Sequence, residues 1–188
     1  PGVFERLATR FSDENVNPPA PNDYLGDVIL HVGEDKIYCH KLILSLTSDV
    51  FDKMFTRDFK EKKSCEVFIE DLGLQTIKSL LTFMYTDTIP DDIITVELLE
   101  ASNKYEVMRL RSVCEEKLSK SLNRENVAEI WYTAYLHNMK ELEQSAFAFM
   151  TLNWMELHHD GKIKELAKTY PNLPMTIAAL LSEFAKFD

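Results

Sequence analysis

Between residues 27 and 39 the chain alternates apolar and polar positions with a period of two. Asp27-Val28-Ile29-Leu30-His31-Val32 is rich in β-branched residues, Gly33-Glu34-Asp35 carries a turn signal, and residues 36 to 39 can form a second short strand. This pattern predicts a hairpin. The following stretch, HKLILSLTSDVFDKMF (40 to 55), is helical in composition, with Thr47 or Ser48 available to cap a second helix carrying Val50, Phe51, Met54 and Phe55. Residues 66 to 70 read as a third strand. Beyond Gly73, the residues Ile77, Leu80, Leu81 and Met84 repeat at i, i+3, i+4 and i+7, the stripe of an amphipathic helix that ends near Tyr85.

The polar run TDTIPDD (86 to 92) breaks the pattern before further helices that contain Leu98, Leu99 and Ala101, then Val107, Leu110, Val113 and Cys114. From Asn123, a credible N-cap, the periodicity is helical throughout. Val127, Ile130, Trp131, Ala134 and Tyr135 form one stripe, and Leu142, Ala146, Phe149 and Met150 another. Ile163, Leu166, Ala167 and Tyr170, then Ile177, Leu180, Leu181 and Phe184, predict two more helices divided by PNLP (171 to 174). At the front, Val3, Phe4, Leu7, Ala8 and Phe11 mark one face of a short helix that the proline-rich segment 12 to 23 ends and tethers. A lone amphipathic helix is marginal in water, so that face needs a partner. The expected class is α+β over residues 1–120, with an all-α helical appendage over 121–188.

Charge narrows the set of partners. The formal net charge is −10, and the 21 basic residues are interspersed with 31 acids. Nucleic acid and anionic membrane surfaces need concentrated positive charge, so neither is expected as a partner, and another protein is. Cys39, Cys65 and Cys114 are odd in number and lack C-x-x-C spacing, which fits reduced thiols and an intracellular residence, nuclear or cytoplasmic. No apolar run reaches the ~18 residues of a membrane span. His40 beside Cys39, and His158 beside His159, have no further ligands at zinc spacing and read as core or surface histidines. G-x-S-x-G, H-E-x-x-H and phosphate-loop motifs are missing. The chain is therefore expected to be a non-catalytic protein without metal or cofactor. Trp131 and Trp154 sit in helical stripes and read as core.

Three stretches together resemble the BTB/POZ fold: GDVILHVGEDKIYCHKLILSLTSDVFDKMF (26 to 55), EVFIEDLGLQTIKSLLTFMYTDTI (66 to 89) and LLEASNKYEVMRLRSVCEEKL (98 to 118). The stretch from 121 to 150 resembles the three-box and partial BACK helices of cullin-3 adaptors, most closely those of the speckle-type POZ protein group. That resemblance implies a substrate adaptor of a cullin-3 ubiquitin ligase, with substrate bound by a domain outside this chain. It implies cullin contacts at Phe59, Lys60 and Glu61, where an apolar residue is followed two positions later by glutamate, with Tyr85, Asn103, Lys104 and Tyr105 beside them. It also implies a homodimer, possibly growing to higher oligomers, with Val3, Phe4, Leu7 and Phe11 across the two-fold axis and Asp27 and Lys41 as a buried acid–base pair near the interface. From spacing alone Phe59 serves equally well as a core side chain of its own chain, and each tyrosine as a cap on its own helix layer. Two other roles stay open, a dimer that recruits a transcriptional corepressor and a purely architectural oligomerisation domain.

Overall fold

The computed structural model describes residues 26–56, 64–159 and 168. β1 (Val28–Val32) and β2 (Asp35–Cys39) pair antiparallel, and the Val32–Asp35 register leaves a two-residue loop of Gly33 and Glu34. Gly33 has φ +60° and Glu34 is not in the positive-φ region, as II′ hairpin turns require. β3 (Glu66–Ile69) adds to the other side of β1 in parallel, giving the order β2-β1-β3. A period of two sorts the side chains: Val28, Leu30 and Val32 of β1 and Val67 and Ile69 of β3 are buried, while His31 and Phe68 stack on the opposite face.

Between β2 and β3 the chain forms α1 (Lys41–Thr47) and α2 (Asp49–Thr56). Ser48 ends the first and caps the second, its Oγ accepting the Phe51 N–H at 3.1 Å. α3 (Leu74–Thr86) buries Ile77, Leu80, Leu81 and Met84, the four positions of the sequence stripe. Each such side chain contributes roughly 1.5–3 kcal/mol of transfer free energy. A 3-10 turn (Asp91–Ile93), α4 (Val96–Lys104) and α5 (Met108–Lys120) follow, with α3 packed on α4 and α4 on α5. Thr95 caps α4 through the Leu98 N–H. Val107, read from the pattern as part of the next helix, instead closes α4. Its N–H reaches the Ser102 carbonyl at 2.8 Å while Glu106, at φ 52°, donates to Asn103 O. This is the double bond of a Schellman end, in which the second residue past the cap is apolar and buried.

The chain divides into two compact units, Pro1–Lys120 and Ser121–Asp188. In the second, α6 (Val127–Leu136) packs against α7 (Lys140–Leu152), and α8 (Trp154–His159) against α7. Asn123 caps the turn before α6, accepting the N–H groups of Glu125 and Asn126. The Asn126 side chain accepts the Asn123 N–H in return, a reciprocal capping box. α6 ends in a second Schellman pair, Met139 N–H to Ala134 O and Asn138 N–H to Tyr135 O, with Asn138 at φ 54°. Trp131 and Trp154 are buried, as their place in the stripes implies. The helices expected from Ile163 and Ile177 onward lie outside the described residues, as does the N-terminal helix.

Candidate functional site

Tyr85 and Tyr105 hold the two ends of α1. Tyr85, near the end of α3, is 2% exposed, and its hydroxyl accepts the His40 backbone N–H and meets His40 Nδ1, both at 2.9 Å. Burial, above all, raises the phenol's pKa well beyond its ordinary range. Tyr105, the C-cap of α4, is also 2% exposed, and its ring stacks on Phe51 at 4.8 Å and 3°. Its carbonyl accepts the Ser48 hydroxyl, and burial pushes its phenol up to about 12. Neither ring offers a face to a partner here. Both fix α1 and α2, and α2 leads directly into the segment that holds Phe59, Lys60 and Glu61. Those three residues lie outside the described residues, as do Val3, Phe4, Leu7 and Phe11.

Asn103 and Lys104 are the last residues of α4. Asn103 Oδ1 accepts from Arg111 Nη1 at 2.8 Å. The exposed Lys104 ammonium donates to both carboxylate oxygens of Asp71, at 2.6 and 2.7 Å, and lies 5.2 Å above the Tyr105 ring. Hydrogen bonding from Lys104 holds the Asp71 carboxyl below the usual range, although a pair this exposed adds little stability.

Asp27 and Lys41 do meet, in a way the sequence did not suggest. Asp27 Oδ1 accepts the main-chain N–H of Lys41 at 2.7 Å, at the first turn of α1, where an anion also faces the helix dipole. The Lys41 ammonium turns instead to Cys65 Sγ at 2.9 Å and to the Phe55 ring at 5.7 Å. The expected buried acid–base pair is thus an exposed carboxylate on a helix N-terminus and a lysine on a thiol. Next to them α1 exposes Leu42 by 70% and Leu46 by 76%, an i, i+4 apolar pair. Sequence reasoning missed these two. The signal was present, because Leu42, Leu44 and Leu46 spaced by two cannot share one helix face, and Leu44 took the core.

The model of the BTB/POZ domain family matches residues 17–122, more than half of the chain. The chain belongs to the BTB/POZ domain family. A BTB/POZ domain-containing protein of Arabidopsis thaliana is 33% identical over 150 residues, covering 79% of this chain and 46% of that relative. The chain thus spans less than half the length of this curated relative. Among solved structures, the BTB domain of zebrafish PATZ1 aligns with a TM-score of 0.43 at 24% identity, over 50% of this chain and 76% of that one.

BTB domains are protein-interaction modules that generally homodimerise, and the α+β class with a helical extension agrees with the sequence expectation. A groove of about 450 Å3 also opens near the Gly33 turn, lined by His31, Phe68, Glu70 and Gly73 among others, and it holds none of the predicted site residues. Among the described residues no group of three or more His, Cys, Asp and Glu side chains could hold a metal, and no helix is long and apolar enough to cross a membrane.

Proposed function

We propose that this BTB/POZ chain is the adaptor subunit of a cullin-3 ubiquitin ligase, with Phe59 as the apolar anchor and Lys60 and Glu61 setting its orientation. The observation that supports this most is the pair of packed helices, α6 and α7, that follows the BTB/POZ unit where the three-box resemblance begins. In this reading Asn103 and Lys104 border the contact, while Tyr85 and Tyr105 act as positioning residues by holding α1 and α2. The chemistry belongs to the other subunits of the ligase. The likeness to the speckle-type group, a substrate module beyond this chain and an intracellular setting are parts of the same proposal.

Dimerisation is proposed through the N-terminal helix (Val3, Phe4, Leu7, Phe11) together with the α1 face that carries Leu42 and Leu46, beside Asp27 and Lys41. A dimer would present two cullin sites and two substrate modules, raising effective concentration into the mM range over short flexible linkers.

Calorimetric titration with the N-terminal domain of cullin-3 tests the adaptor role. A buried aromatic anchor is worth more than about 1 kcal/mol, so Phe59→Ala and Glu61→Ala are each expected to weaken binding by more than about fivefold while the fold persists. Equal affinity in wild type and both variants would remove the site, and no binding by wild type would leave an architectural dimer.

A further inference from the structure

Cys65 leads into β3 with its backbone in the left-handed region, φ 58°, and its carbonyl accepts the Ile29 N–H at 2.9 Å. Lys41 begins α1 with its N–H fixed by Asp27. Two side chains from anchored backbones therefore meet at 2.9 Å, nitrogen to sulfur, with the Phe55 ring 5.7 Å from the ammonium. The other thiols are different. Cys39 and Cys114 are fully buried, and burial drives the Cys114 thiol up to about 12 and the Cys39 thiol higher still. Thiol oxidation follows access and thiolate character, so those two are protected, whereas Cys65 is partly exposed.

We propose that Lys41 and Cys65 form a redox-sensitive pair, in which a peroxide oxidises the Cys65 thiol and the Lys41 amine resolves the product as a sulfur–nitrogen bond. In the first step the peroxide transfers one oxygen to sulfur, giving a sulfenic acid and one water. Sulfenic acids condense with a nearby nitrogen as they do with a thiol. The unprotonated Lys41 amine then attacks sulfur, the S–O bond breaks, and hydroxide leaves with the amine proton as a second water. Sulfur loses two electrons and the peroxide gains them. The link ties the start of α1 to the start of β3. Two equivalents of an added thiol return both side chains to their original state: the first breaks the S–N bond and frees the amine as a mixed disulfide forms on Cys65, and the second displaces the Cys65 thiol, leaving the added thiols as a disulfide.

Treatment of the whole chain with hydrogen peroxide, followed by peptide mapping with fragment ions, tests the pair. The expected product joins the Lys41 and Cys65 peptides, weighs two hydrogens less than their sum, and is reversed by dithiothreitol. It is expected to be missing in Cys65→Ser and in Lys41→Arg, where Cys65 should proceed to sulfinic acid. Cys39 lies two residues from Lys41, so fragment ions that place the bond on Cys39 would show a disulfide and overturn the proposal. So would sulfinic acid at Cys65 of the wild type without a cross-link, or earlier oxidation of Cys39 or Cys114. The wild-type map decides these outcomes even if a variant fails to fold.

Discussion

The Tyr85 hydroxyl is the most informative single group in the first unit, because it satisfies the main-chain donor at the entry to α1. Tyr85→Phe keeps the ring and removes that acceptor, so chemical denaturation is expected to show a loss of about 1–3 kcal/mol. Ser48→Ala removes both the cap of α2 and the donor to Tyr105, and about 1–2 kcal/mol is expected to go with it. Among the described residues, four buried acids make the fold sensitive to alkali. Cys39, Cys114, Tyr85 and Tyr105 all have folded pKa values above their ordinary values of 9.0 for cysteine and 10.0 for tyrosine, through burial. The unfolded chain therefore releases these protons first. The stability they contribute is complete below about pH 9 and is lost as pH rises toward about 12, where Cys114 and Tyr105 ionise in the fold. Denaturant midpoints measured across that range should fall steadily above pH 9, and a flat profile would mean these groups are open to water.

At the scale of elements, the periodic signals gave reliable positions. The hairpin, the stripe of α3 and the cap at Asn123 were legible because each rests on local chemistry: a period of two with Gly33, a period of 3.6, and an amide beside free N–H groups. What could not be read depends on partners distant in sequence. Nothing near Tyr85 announces His40, 45 positions away, and nothing near Lys41 announces Cys65. The end of α4 was misread for a related reason, since Val107 continues an apolar pattern but follows Glu106 in a left-handed conformation that no glycine signals. Asn138 ends α6 in the same conformation, which asparagine tolerates and β-branched residues do not. Asn138→Val is expected to cost about 1–2 kcal/mol in the second unit, measured as a lower unfolding midpoint.

For the whole molecule, a BTB/POZ unit followed in sequence by a helical unit, on a chain of net charge −10, is suited to bind other proteins. The exposed pair Leu42 and Leu46 lets the proposed dimer face be altered without touching the core. Leu42→Glu with Leu46→Glu is expected to yield a folded monomer in sedimentation equilibrium, whereas an unchanged dimer would place the interface elsewhere. The adaptor role itself is tested most directly by sedimentation velocity of the chain mixed with the N-terminal domain of cullin-3. The expected result is one boundary with the mass of two chains and two cullin domains, lost in Phe59→Ala. Two separate boundaries, each at the mass of its free component, would contradict it.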